Sequence, residues 1–273
     1  MARFQSSVQF FVSAAAFAVS FLTSRPALAA PAPSAVALFN EQVLGAPGDL
    51  QAQGYEKWQW LRSTCDNCEI ALAAKSPELD SAKVQAFMRA LSDNKSELQS
   101  IYGIHGAEYT LLAHMAVGIL GRESKFFQSA RYQLKEEFPW AVYFGKVMRS
   151  YATGAKIDPN SRGPTQIKSI PTKIAEFYHF TSDELDVPEN AAVATMGFLI
   201  EALAELKSRA ASHRLAFITP ATYVDYLPYI YFGATKSLVA GKARPESNAY
   251  VQNMKTYMEW VDVYERAPQT GVR

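Results

Sequence analysis

The 273-residue sequence predicts a mainly α fold, and three observations carry that prediction. Apolar residues recur at spacings of three and four along most of the chain. Helix start signals sit where such runs begin, as in Ser76-Pro77-Glu78, Thr181-Ser182-Asp183-Glu184 and Pro188-Glu189. One stretch, Ala107 to Arg122, is apolar around most of its circumference, the pattern of a helix buried on every side.

The first 29 residues read as a Sec-type bacterial signal peptide. Arg3 precedes a mainly apolar run from Val8 to Leu22, and Ala27-Leu28-Ala29 fits the small-x-small pattern of a cut after Ala29. The run is short for a membrane span and no basic stop-transfer flank follows, so no stable membrane anchor is expected and the mature chain is periplasmic or secreted. Losing Arg3 and Arg25 leaves 25 basic and 26 acidic residues. With no basic excess to hold phosphates, neither nucleic acid nor an anionic membrane is expected as a partner.

Cys65 and Cys68 lie in Thr64-Cys65-Asp66-Asn67-Cys68. An even cysteine count in an exported chain favours a disulfide. The redox reading of Cys-x-x-Cys lacks the strand–helix unit that frames it, and a zinc site lacks further ligands at finger spacing. A short staple closing an Asp-Asn turn is expected, with a stabilisation near the low end for disulfides.

After an Ala-Pro-Ala-Pro leader, residues 30–105 read as a helical N-terminal region that either packs on the rest or forms its own bundle. It holds Ser34 to Val43, then Tyr55 to Leu61 with Trp58 and Trp60. A helix entered at Ser76 follows, carrying Val84, Phe87, Met88 and Leu91. Gly103 and Gly106 flank a break. Residues 106–267 read as a second, catalytic domain, with 268–273 as a tail. After the buried helix come two helices within Gln128 to Tyr151 and a loop from Gly154 to Arg162. Then come Ile167 to His179 broken by Pro171, a long helix from Pro188 through Lys207, and a final amphipathic helix from Ser247 to Arg266.

Glu123 is expected just past the end of the buried helix. A carboxyl there is expected to be partly desolvated, which favours the protonated form that a general acid needs. The same position also suits a structural Glu paired with Arg122. The surrounding motifs decide between these. Gly121-Arg122-Glu123-Ser124-Lys125-Phe126 resembles the Glu-Ser-x-Phe signature of lytic transglycosylases and goose-type lysozymes. Gly163-Pro164-Thr165-Gln166 resembles their Gly-Leu-Met-Gln segment. Pro188-Glu189-Asn190 with Gly197-Phe198-Leu199, Tyr229-Ile230-Tyr231-Phe232-Gly233, and Pro245-Glu246-Ser247 with Tyr250-Val251 resemble three further family segments in the same order.

The resemblance implies a lysozyme-like catalytic domain with a helical N-terminal extension, acting on peptidoglycan glycan strands with no cofactor. Glu123 then protonates the oxygen joining N-acetylmuramic acid to N-acetylglucosamine, through an oxocarbenium-like transition state. In a transglycosylase the same Glu acts next as base while the sugar's 6-hydroxyl closes an anhydro ring. In a hydrolase a second carboxylate commonly activates water, and Asp158, Glu136 and Glu137, in the segment between the two main signatures, are the candidates, although each reads first as a solvated surface acid. An inactive glycan-binding protein is the third reading. Ser124 supports the Glu or caps the helix end. Gln166 bonds the sugar, the Glu or nearby backbone. Tyr229 and Tyr231 line the groove or fill core.

Three departures stand out: Pro164-Thr165 replaces Leu-Met, Tyr231 replaces Asn, and the segment between Glu123 and Gly163 is long. It carries Phe138, Trp140, Tyr143 and Phe144, an expected extra wall of the groove. Thr in place of Met is expected to alter the reading of N-acetyl groups and to favour modified or deacetylated strands. His105, His114, His179 and His213 lie too far apart for a metal site, and His114 reads as a satisfied core histidine.

Overall fold

The computed structural model describes residues 47–60, 66–154 and 161–268. The signal peptide, the Ala-Pro leader, the helix expected over Ser34–Val43, Cys65 and Asp158 lie outside them. In chain order the elements are α1 (Pro47–Ala52), β1 (Glu56–Lys57), β2 (Glu69–Ala74), α2 (Ala82–Asp93), α3 (Lys95–Tyr102), α4 (Gly106–Ser124), α5 (Ala130–Glu137) and α6 (Pro139–Thr153). They continue with α7 (Thr172–Tyr178), α8 (Pro188–Ser212), α9 (Tyr223–Tyr231), α10 (Thr235–Val239), α11 (Ala249–Met258) and β3 (Val261–Arg266). The fold is mainly helical, and the described residues belong to one compact unit spanning Val36–Arg273.

Fifteen of the nineteen residues of α4 are buried, so it is the axis on which the other helices pack. Its all-round apolar surface is covered by α2, α8 and α11. Close approach to α11 is possible because α4 presents glycines there. A Cβ on Gly118 would sit 2.7 Å from the Met254 carbonyl oxygen and 2.6 Å from Met258 Cγ, and one on Gly121 would sit 2.5 Å from Tyr257 Cγ. On the opposite side Tyr109 donates to the Leu91 carbonyl at 2.7 Å, tying α4 to the end of α2.

Three strands stand where the sequence pattern predicts helix or nothing. The sheet order is β1-β3-β2, antiparallel throughout, with Glu69 opposite Arg266 and Ala74 opposite Val261. The expected terminal helix stops at Met258, and the chain turns at Glu259-Trp260 into β3. The reason is the alternation of Val261, Asp262, Val263 and Tyr264. Val261 and Val263 enter the main core, while Tyr264 packs with Leu50, Ala71 and Ala73 on the outer face. Because Ile70 and Leu72 of β2 also enter the main core, residues from both ends of the described chain share one interior. The N-cap of α2 is Ser81, whose Oγ accepts from the Val84 amide at 3.3 Å. Ser76 instead precedes a short 3-10 turn, Pro77–Leu79. Thr181 and Glu184 do form the expected capping box.

His114 is a core residue. Its Nδ1 accepts from Trp60 Nε1 at 3.3 Å, and its Nε2 lies 2.6 Å from the Met258 carbonyl and 3.1 Å from that of Val261, which places the proton on Nε2. Burial holds its pKa below the ordinary histidine value, against the pull of those two carbonyls. A buried base with a depressed pKa stabilises the fold fully above its unfolded pKa of about 6.5, and that contribution is lost as pH falls through the folded value. Tm is therefore expected to drop as pH goes below about 6.5. In His114→Gln the part of that slope due to this imidazole should vanish, as thermal scans from pH 7.5 to 4.5 would show. An unchanged slope would assign the acid sensitivity to other groups.

Candidate active site

Glu123 lies in the last turn of α4, not beyond its end, and is half-buried. It opens on a cleft of about 720 Å³ whose walls come from six separated segments: the end of α4, α5, the turn at Ser161–Lys168, Phe198 of α8, the end of α9, and Tyr250 of α11. What fixes the carboxyl is the turn that follows. Lys125, Phe126 and Phe127 all have left-handed backbone, with φ of 48°, 56° and 66°. Three such residues in a row are costly for side chains with a Cβ. They are held by Phe126, which stacks on Trp260 at 5.6 Å and meets Tyr257 edge-on at 5.3 Å. Ser124 holds them too: its Oγ donates to the Leu120 carbonyl at 2.9 Å and accepts from the Phe127 amide at 3.1 Å. Ser124 is fully buried and does not reach the cleft, so it positions Glu123 rather than touching a ligand.

The turn bearing Gln166 needs its glycine. Gly163 has φ 70°, and a Cβ there would meet the Leu185 carbonyl at 2.7 Å. Gln166 lines the cleft, with its Nε2 donating to the Gly163 carbonyl at 2.7 Å and its Oε1 accepting from Ser161 Oγ at 3.1 Å and from Lys135 Nζ. Lys135 also reaches Ser161 Oγ at 2.9 Å, so α5 and this turn make one wall.

Thr165 faces the other way. It is buried, its hydroxyl bonds Thr195 Oγ1 at 2.7 Å, and its carbonyl accepts from the Tyr231 hydroxyl at 2.6 Å. The exchange of Met for Thr is therefore absorbed inside the fold, and it gives no ground for an altered pocket toward N-acetyl groups. Tyr231 lines the cleft and packs edge-on against Phe198 at 5.1 Å. Tyr229 does not line it: it is a core residue whose hydroxyl accepts from the Arg244 amide at 3.0 Å.

Tyr250 and Arg122 complete the centre. Sequence motifs brought Tyr250 into view but not as a site residue. The Arg122 guanidinium lies 5.0 Å from the Tyr250 ring centre. The Tyr250 hydroxyl and Arg122 Nε are both buried without a hydrogen-bond partner among the described residues. That hydroxyl lies beside the Glu123 carboxylate without a fully formed bond. Burial, then Tyr231 and Glu123, push its ionisation well above the ordinary tyrosine value against the opposing Arg122. Burial and Glu123 raise that of Tyr231 too. Both remain neutral phenols able to donate. Orphaned buried polar atoms beside an acid mark a place where a ligand's polar groups would complete the bonding.

Comparison with protein-family models, curated proteins and solved structures returns no match. The site must be read from its own chemistry. Among the described cleft-lining residues Glu123 is the one acid, beside five cations: Arg122, Lys125, Arg131, Lys135 and Lys168. Glu137 is exposed and does not line the cleft, while Asp158 and the Glu136 side chain lie outside the described residues. Among the described residues no three His, Cys, Asp or Glu side chains gather as metal ligands. No described cysteine is free.

Tyr250→Phe removes a hydroxyl with no fully formed hydrogen bond among the described residues, so its stability cost should stay below about 1 kcal/mol. If that hydroxyl donates to Glu123 or to substrate, turnover should fall roughly 10- to 100-fold, in line with the loss of one transition-state donor. Steady-state rates beside a thermal melt would separate the two effects.

Proposed function

We propose that this chain is an exported enzyme that cleaves the β-1,4 bond between N-acetylmuramic acid and N-acetylglucosamine in peptidoglycan, as a lytic transglycosylase with Glu123 as its acid. The observation that carries this reading is convergence. Glu123, Gln166, Tyr231 and Tyr250 come from four segments that resemble the family in order, and all four line one cleft. Glu123 protonates the glycosidic oxygen, the leaving sugar departs, and the resulting carboxylate accepts the proton of the 6-hydroxyl as the anhydro ring closes. One carboxylate suffices for both steps, and one is what the described lining supplies. The aromatic side chains Tyr231, Phe198 and Phe232 offer ring faces to the sugars. The five cations suit a strand whose stem peptides carry free carboxylates.

Digestion of purified sacculi, with fragments weighed by mass spectrometry, tests the reading. Anhydro-muramyl ends support it. Reducing ends replace it with a goose-type muramidase, and intact strands with a binding protein. Parallel digests of acetylated and deacetylated sacculi decide whether modified strands belong to the substrate class.

A further inference from the structure

The hairpin α5–α6 carries a feature that cleavage does not use. On a helical projection of α6, Trp140, Tyr143, Phe144, Val147, Met148 and Tyr151 share one face, while Lys146, Arg149, Ser150 and Thr153 lie on the other. Such a pattern normally turns its apolar face inward. Here that face is open to solvent: Trp140 is 70% exposed, Tyr151 is 93% exposed, and Tyr143, Phe144 and Met148 are each more than half exposed. Leu134 and Phe138 of the preceding segment are exposed as well. Single exposed aromatics are ordinary, but a contiguous patch of this size marks a surface that something covers.

We propose that α6 is a membrane-interface helix that lays its aromatic face among the headgroups of an anionic phospholipid surface. The proposal does not depend on cleavage at Glu123. Charge selects this occupant. Residues 139–153 contain Lys146 and Arg149 and no Asp or Glu, while in α5 Arg131 and Lys135 are balanced by Glu136 and Glu137. An apolar face rich in Trp, Tyr and Phe beside a cationic flank is the composition of helices that lie in the bilayer interface. No described helix is long and apolar enough to cross a membrane, so the attachment is peripheral. The near-zero charge of the whole chain argued against an anionic membrane; α6 by itself carries two basic residues and no acid.

The test is co-sedimentation of the purified full chain with vesicles of phosphatidylglycerol and phosphatidylcholine, and of phosphatidylcholine alone. It is run beside a Trp140→Ser/Phe144→Ser/Tyr151→Ser variant and beside Arg149→Glu. Both variants retain the apolar stretch Val8–Leu22, so any difference from the parent reports α6. Circular dichroism and melting confirm that these exposed substitutions leave the fold intact. The triple variant is expected to lose at least about tenfold in partitioning to the anionic vesicles. Arg149→Glu should weaken that binding and leave binding to phosphatidylcholine unchanged. Equal partitioning of parent and triple variant overturns the proposal. So does a dimer, seen by analytical ultracentrifugation, that the triple variant abolishes. Loss of binding to sacculi with vesicle binding unaltered would make the face a glycan wall instead.

Discussion

Replacing Glu123 with Gln is expected to lower the release of soluble fragments from sacculi by about a hundred- to ten-thousand-fold, the span attributed to a positioned proton donor. Gln keeps the shape and the helix propensity of Glu but cannot give up a proton to a glycosidic oxygen. The side chain is half-buried in the last turn of its helix, so stability should change by no more than roughly 0.5 kcal/mol. The contrast between a lost rate and a kept melting temperature is the signature sought. Normal turnover by Glu123→Gln would remove the assignment of the acid. Loss of rate together with loss of fold would leave the site without support from this variant.

The largest stability effect is expected at Gly118. Substituting alanine in a helix interior ordinarily gains about 1 kcal/mol over glycine. Here the added Cβ would lie 2.7 Å from a backbone oxygen of Met254, which cannot move without shifting α11, so the sign reverses. Gly118→Val adds two further methyl groups at the same contact. It should destabilise by about 3 kcal/mol, at the upper end for overpacked cores, lowering Tm by roughly 6–12 °C for a unit of this size. Because Glu123 and Tyr250 sit on the two helices being pushed apart, catalysis should fail below the melting temperature as well. A Gly118→Val protein with unchanged Tm would mean that α4 and α11 are less tightly apposed than the glycine contact implies.

The helices were legible because their apolar residues repeat at three and four, and the long buried α4 because its pattern has no polar face. The strands were not. β1 has two residues, too few to show a period. β2 is buried almost continuously, since Ile70 and Leu72 face one core and Ala71 and Ala73 another, so no alternation betrays it. β3 was hidden by coincidence of spacing: Met254, Met258 and Val261 are separated by four and three, and read as one more stretch of helix.

At the site, Glu123, Gln166 and Tyr231 were visible as motifs. Tyr229 and Tyr231 read as one motif in the sequence, although residues two apart on a helix point about 200° from each other, and of the two only Tyr231 meets the cleft. The basic lining was invisible for a different reason. Its members are scattered between positions 122 and 168, and acids elsewhere cancel them in any sum over the chain.

The sheet has a temporal meaning as well. Its middle strand, β3, is the last of the described elements to be synthesised, and both of its neighbours come from more than 180 residues earlier. No pairing in the sheet can begin until Val261 to Arg266 has been synthesised, and closing so long a loop is slow. Ile70 and Leu72, made early, therefore wait for Val261 and Val263 before the core they share can close.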